Sequence, residues 1–470
     1  MKFPMWTVLV LYAGAAYAGD GGPLRDLGWG AVVADNGIAY VPFDIGGSMD
    51  DRAAVSALQP NGELVLGGYA TTSSSPPDLA MVRTVSSQGA PDAGFGTNGK
   101  LRLGASTDAI NDVAILADGR IVYAARTSQT TLVIGRLLSD GTADASFNGT
   151  GRRLLAATAF ISVGSLLSTP KLLVQPDGKI VVVTSAQHTI PDVQQVAAAT
   201  RLNPDGTTDT TFGGQGTGYG AYAPPNGPTS VAAAFVATRL SNGQLILAGY
   251  CLHNGGSGAD ALVFRLSADG VLDTTYGNNG YAFVAFDEGG SLDEYVTAVA
   301  VDSAARAVIS LDINDAQGRG RAALARLTSS GQLDSTFGVG GRVDYETRAS
   351  APAEYSNSVA VLRDGRILVA GTSTLCGCGG QPDAGTLTMF TSTGQVNRYF
   401  GEDGTEHFGS ADGPDSQILE IANMVVSGDY AYLVGRAHNP VGSDNDDFAS
   451  ARVAVPLFRG GFEDVAPGPQ

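Results

Sequence analysis

Histidine and cysteine are scarce in this chain, four and three residues among 470, and charged residues make up only 16%. The three cysteines, Cys251, Cys376 and Cys378, form no C-x-x-C pair, so thioredoxin-like redox chemistry and cysteine-based zinc modules lack their ligand spacing. An odd number leaves a thiol over or none bonded, and Cys376-Gly377-Cys378 permits either a small loop staple or free thiols. His188, His253 and His438 follow their respective turns by nine or ten residues but lie far apart in sequence, without paired metal-ligand spacing. There is no G-x-S-x-G elbow, no H-E-x-x-H, no Walker A loop and no clean G-x-G-x-x-G opening a helix, so no motif nominates a catalytic residue. Basic residues are also short: 28 Lys and Arg against 46 Asp and Glu give a formal charge of −18, which argues against nucleic acid or an anionic membrane as partner.

Long apolar runs are missing as well. The longest candidate, Met5–Leu11, is too short to span a bilayer. With Lys2 before it and Ala16-Tyr17-Ala18 after it, it has the layout of a secretory leader, and cleavage after Ala18 is expected to deliver the chain to the periplasm or the extracellular space. No cysteine follows the site to carry a lipid anchor, and no membrane span is expected in the mature chain.

What the chain has instead is glycine, 64 residues, arranged in a repeat. An apolar run reaches a turn with Asn-Gly or Asp-Gly and continues as a second run, as in Leu58–Leu66, Leu116–Val122, Val174–Val183, Leu240–Leu247 and Leu362–Val369. Such pairs read as tight hairpins with primed turns, since these dipeptides accept positive φ. A third run ends in Arg-Leu, at Arg136-Leu137, Arg201-Leu202, Arg265-Leu266 and Arg326-Leu327. A glycine-rich loop ending in an aromatic-Gly pair and a short fourth run, such as Lys100–Leu103, close the unit. The turns fall at Gly62, Gly119, Gly178, Gly243, Ala305, Gly365 and Asp429, with intervals of 57, 59, 65, 62, 60 and 64. Seven four-stranded units of this period predict an all-β, seven-bladed β-propeller over residues 19–455, followed by a tail over 456–470.

The ends of the repeat are out of phase. Asn36–Asp51 is nearly a copy of Asn279–Glu294, so the N-terminus supplies a fourth strand without a third. Ala449–Val455 is a third strand without a fourth. Pairing the two in one composite blade would remove exposed edges, while the alternative closes the ring by packing of complete blades. The first runs alternate branched with small residues (Val113-Ala114-Ile115, Val359-Ala360-Val361), as expected around a crowded axis. The second runs are apolar throughout and the fourth alternate, which orders the strands from inside to outside.

The spaced motifs D-G-K-I, R-L-x-x-D-G and D-x-x-F-G-x-x-G resemble the bacterial delta-60 repeat, with a more distant likeness to NHL-type propeller repeats. The resemblance implies a propeller on an exported protein and carries over no catalytic residues. The fifth unit departs from it with Ser303-Ala304-Ala305 at the turn, the seventh with Gly428-Asp429 in reversed order, and the sixth with Phe390-Thr391 in place of Arg-Leu. Leu457–Glu463 is similar to a short C-terminal element of exported gamma-proteobacterial proteins.

This strand order sorts the loops onto two faces. The uniform turns share one, with Phe95, Phe147, Phe212 and Phe337 expected to plug gaps between blades. The irregular loops share the other: Asp44–Asp51, Tyr250–Asp260, Asp287–Glu294, Tyr345–Asn357, Thr372–Gly385 and Arg436–Asp447. Irregular loops on a rigid scaffold are where binding residues sit. Asp44, Asp50, Asp51, Asp287, Asp293 and Glu294 are the candidate ligand-binding residues, and Asp444, Asp446 and Asp447 the candidates for calcium through hard oxygens. Solvated acidic turns account for the same residues without a ligand. The expectation is a secreted binding module for a protein, glycan or cation. The alternative is a propeller hydrolase or lyase using acids such as Asp50 and Asp293, which works only if they are held close together.

Overall fold

The computed structural model describes Trp29 and residues 37–43, 46–72, 77–106, 109–160, 165–166, 168–187, 195–224, 231–252, 258–286, 293–314, 319–347, 353–374, 384–401, 403–408, 419–438 and 446–455. Twenty-eight strands form seven four-stranded antiparallel sheets, and the one helical element among the described residues is a 3₁₀ turn at Ala157–Ala159. Blade one runs outward in chain order through Gly46–Leu58, Leu64–Thr72, Asp78–Thr84 and Lys100–Ala105. The inner strands of blades two to seven begin at Ile110, Lys171, Val231, Glu294, Glu354 and Leu419. Each inner strand touches the next, and the last touches the first, so they line a closed ring.

Closure is by the composite blade. Ile38–Val41 pairs antiparallel with Asp446–Ala454 in the register Ile38 with Ala451 and Val41 with Phe448, supplying the outer strand of blade seven. The apolar core is divided into seven clusters, and each lies between two neighbouring blades. Val65 and Met81 of blade one, for example, pack with Ile121 and Tyr123 of blade two. Tyr432 and Val434 of blade seven pack with Leu64 and Leu66 of blade one. A blade therefore has no core of its own, and stacking is what removes its two faces from water.

The hairpin turns differ from the primed form. Only the glycine has positive φ, +84° at Gly62 and +84° at Gly119, and Gly62 N donates to Gln59 O at 2.9 Å. This is a type I turn followed by a left-handed glycine that forms a bulge, which Pro60, with its fixed negative φ, suits better than a primed turn does. Ala305 holds the same conformation at φ +59° in the fifth unit. There the Asp302 carboxylate accepts from the amides of Ala304 and Arg306, both at 2.9 Å.

The recurring Arg-Leu and D-x-x-F-G motifs form a latch between blades. Arg136 Nε donates to Asp144 Oδ2 at 2.7 Å and its guanidinium covers the Phe147 ring at 4.8 Å, while Nη1 reaches the Pro204 carbonyl of blade three. The backbone adds Asn148 N to Asp205 O at 2.7 Å. Arg83, Arg201, Arg265 and Arg326 repeat the pattern over Phe95, Phe212, Tyr276 and Phe337. The plug role expected for the phenylalanines holds, and all four are fully buried. The turn glycine of the next blade must lie bare against the plug: a Cβ on Gly141 would come 2.8 Å from Phe95.

The register corrects the reading of blade six. The positions equivalent to Arg-Leu are Met389-Phe390, since Phe390 pairs with Ile367 as Leu137 pairs with Ile121. Asn397 replaces the aspartate and donates to Met389 Sδ at 3.4 Å, where Arg366 Nη1 also donates at 3.3 Å, giving a latch without a buried ion pair. In blade seven the arginine is Arg452, which bonds the Ser86 carbonyl of blade one at 2.7 Å. Its plug is Trp29, fully buried, with the guanidinium 4.8 Å from the ring and Nε1 donating to Ser450 Oγ at 3.1 Å. Asp26-Leu27-Gly28-Trp29-Gly30 has the motif's D-x-x-aromatic-G spacing, so the copy begins ten residues upstream of Asn36.

Candidate functional site

The expected irregular loops are shorter than drawn, because the strands extend into them. The second strand of blade four ends at Leu252 and its third begins at Ala259. Blade seven's second strand ends at His438 and its third begins at Asp446. Cys251 is accordingly a buried strand residue rather than a loop thiol, and burial, followed by the Asp260 charge, pushes its thiol up to about 11. Asp44, Asp287, Asp444, His188, His253, Cys376, Cys378, the leader and the 456–470 tail lie outside the described residues.

The acidic candidates that are described divide by environment. Asp51 is 1% exposed, and its two oxygens accept from Phe43 N at 2.8 Å and Thr71 N at 3.2 Å. Glu294, equally buried, accepts from Phe286 N at 3.1 Å, and Glu354 does the same for Thr347 N at 2.7 Å in blade six. One carboxylate at the start of the inner strand thus fastens the crossing from the outer strand of the preceding blade. The near-copied segments at Asn36 and Asn279 share this clasp. Asp50 is exposed, and Asp293 accepts from Ala259 N at 3.0 Å. These two stand in blades one and five, with two blades between them on the shorter way round the ring. Asp447 is buried, and Asp446 is paired with Arg436 at 2.7 Å. No group of three or more His, Cys, Asp or Glu gathers as a metal site among the described residues.

A set of residues that sequence reasoning passed over stands at one register position toward the irregular-face ends of the inner strands, the mouth of the ring. Six of the seven inner strands carry a register shift near their start, for instance between Ala53 and Val55, Val296 and Ala298, and Ser356 and Ser358. Two residues ahead of the bulged one, the side chains are Arg52, Ala233, Tyr295, Tyr355 and Glu420 in blades one, four, five, six and seven. Arg52 and Glu420 meet across adjacent blades, and Arg436 also bonds Glu420. Tyr295 and Tyr355 stay 38% and 44% exposed.

Tyr295 is held from behind by an aromatic stack. Its ring meets Tyr250 edge-on at 5.1 Å and 81°, and Tyr250 lies over Phe235, the bulged residue of blade four, at 5.3 Å and 30°. The Asp293 carboxylate lies beside the Tyr295 hydroxyl; burial, the Asp293 charge and Tyr250 raise the pKa of Tyr295. Burial raises the pKa of Tyr250, and the neighbouring Gln195 side chain opposes the shift. Tyr355 leans back over Gly320 of blade five, where a Cβ would stand 3.3 Å from its ring. The sequence signal was available: Glu294-Tyr295 and Glu354-Tyr355 repeat sixty residues apart.

Two carboxyls, one on the inner strand of blade two and one on the second strand of blade five, have raised pKa values. Burial pushes Asp112 up, opposed by the Lys171 charge and the amides of Leu172 and Val113. Burial pushes Asp312 up to about 7, while Ser356 donates to it from N at 2.9 Å and from Oγ at 3.3 Å. They lie in blades two and five and form no acid–base pair. An unfolded aspartate loses its proton near about 4, so between about 4 and about 7 the folded state binds the extra proton and stability falls as pH rises. Asp312→Asn should therefore gain stability relative to wild type as pH rises through that window, read as urea midpoints at pH 4.5 and 8. A constant gap between the two proteins would contradict it.

The fold and its latches define a seven-bladed β-propeller built from a repeat. The family model described as "Domain of unknown function (DUF5122) beta-propeller" matches residues 59–95, 116–147, 175–212, 240–276 and 312–337, so these repeats are similar to those of a β-propeller repeat family. Four of the five matches run from the hairpin turn to the plug aromatic, and the fifth also ends on its plug, Phe337. No curated protein matches the sequence. Solved structures with a similar fold include the polysaccharide lyase Uly1 (8% identity, 86% of this chain and 90% of that one, TM-score 0.49). A GH93 α-L-arabinofuranosidase of Fusarium graminearum shares 9% identity over 88% and 96%, with TM-score 0.40. Drosophila Semaphorin 2a shares 8% over 89% and 75%, with TM-score 0.46. These likenesses concern the fold alone.

Proposed function

We propose that this chain is an exported binding module, cleaved after Ala18, whose ligand docks at the mouth of the irregular face on the Tyr295 corner. The observation that carries this reading is the pair of exposed tyrosines at one register position in neighbouring blades, Tyr295 and Tyr355, the first backed by Tyr250 and Phe235. A large, partly exposed aromatic held by its neighbours suits a docking surface, because it offers contact area at little cost in conformational entropy. The Asp51, Glu294 and Glu354 carboxylates support the site indirectly by holding the amides of Phe43, Phe286 and Thr347 to the starts of the inner strands.

Thermal melting of a chain starting at residue 19 tests this, with neutral and anionic glycans, calcium and peptides as separate additions. A ligand that binds only the folded state raises the melting temperature. One of these classes should raise it for wild type, with affinity falling about tenfold or more in Tyr295→Ala, which is about 1.4 kcal/mol. Equal shifts in the variant would remove the site.

A further inference from the structure

We infer that the ligand of this mouth is an uncharged oligosaccharide or polysaccharide chain, stacked by one sugar ring on Tyr295 and by another on Tyr355. The inference deepens the binding reading above and rests on it. A pyranose presents an apolar face of C–H groups and a rim of hydroxyls. It therefore needs a flat ring to lie on and hydrogen-bonding groups beside that ring. Tyr295 offers the first, its orientation fixed by the edge contact with Tyr250. The second comes from the Asp293 carboxylate at the Tyr295 hydroxyl and the Gln195 amide at the Tyr250 hydroxyl. Carboxylate and amide side chains can each engage two neighbouring hydroxyls, which fixes the orientation of a sugar.

Charge selects within that class. The chain is acidic overall, and Asp293 stands next to the stacking ring. Two arginines of the mouth are already engaged, Arg52 by Glu420 and Arg436 by Glu420 and Asp446. A uronate or sulfated chain would thus meet negative charge at the platform. A methylated ammonium is the other ligand that favours aromatics beside a carboxylate. It needs rings on several sides of one void, whereas Tyr250 and Tyr295 touch each other at 5.1 Å and leave no space between them. Tyr355, one blade further on at the same register, supplies a second platform and so calls for a chain rather than a single sugar.

Native affinity electrophoresis of the chain from residue 19 tests this, in gels containing a panel of neutral polysaccharides, alginate, or choline. Neutral polysaccharide should retard the wild type. Tyr295→Ala should weaken retardation about tenfold or more, and Tyr295→Phe should retain it. Tyr355→Ala should cost less and abolish the preference for longer oligosaccharides. Tyr399→Ala, which removes a side chain 90% exposed on the uniform face, should change nothing. Melting midpoints close to wild type establish that the variants are folded. Retardation by alginate that Tyr295→Ala removes would overturn the uncharged class, retardation by choline that it removes would overturn the sugar class, and either would leave the binding site standing. No retardation in any gel, together with no melting shift, would overturn both.

Discussion

Trp29→Ala should destabilise the folded chain by about 3–5 kcal/mol, the cost of emptying a fully buried tryptophan site. The substitution removes more than volume. Arg452 loses the ring it covers at 4.8 Å, Ser450 loses a donor, and Gly89 of blade one, whose added Cβ would stand 2.6 Å from the indole, faces a void. Trp29 is the plug of the one latch whose two halves come from opposite ends of the chain. Its loss therefore weakens the seam between blades seven and one. Trp29→Phe, which restores the aromatic used in most other latches, should recover most of the loss in a denaturant midpoint measurement. If alanine costs no more than a surface substitution, the seam does not depend on this residue.

Arg136→Ala should cost about 3 kcal/mol, because it removes a buried guanidinium and leaves the buried Asp144 carboxylate with Arg120 as its remaining arginine partner. Burial alone would raise the Asp144 pKa. The Ser146 hydroxyl and amide, Arg120 and Arg136 override it and hold the carboxyl well below its usual range. A depressed pKa contributes stability that is complete above the unfolded value of about 4 and is lost as pH falls below it. Wild type should thus lose its advantage over the variant on acidification. Blade six shows how the same joint is made without a buried ion pair, through Met389, Asn397 and Phe400, with Arg366 donating to the Met389 sulfur. Arg136→Met combined with Asp144→Asn copies that solution and should be more stable than Arg136→Ala alone, as an ion pair replaced whole costs less than one broken. A double variant no better than the single would show that the latch is not an exchangeable unit.

Blade number, strand order and the composite closure were legible because they rest on spacing. Asp-Gly turns every sixty or so residues, Arg-Leu before D-x-x-F-G and the copied segments at Asn36 and Asn279 are local patterns that tertiary context does not alter. Trp29 escaped because the plug of blade seven is tryptophan and sits ahead of the strand it serves. The binding corner escaped for a different reason. Phe235, Tyr250 and Tyr295 belong to two blades and meet only through inter-blade packing and a backbone bulge, neither of which a single sequence displays. Aspartates drew notice instead because they are frequent in turns, and Asp51 and Glu294 turned out to bind their own backbone.

The mouth exists only if the wheel is closed at Trp29, and that closure can be observed directly. The chain has two tryptophans, Trp6 and Trp29, so a protein starting at residue 19 reports on this position alone. Its emission should be blue-shifted and insensitive to iodide in the native state. It should become quenchable in the same denaturant transition that abolishes the far-ultraviolet β signal. A tryptophan quenched by iodide under native conditions, or released in a separate earlier transition, would contradict the closed ring and the site built on it.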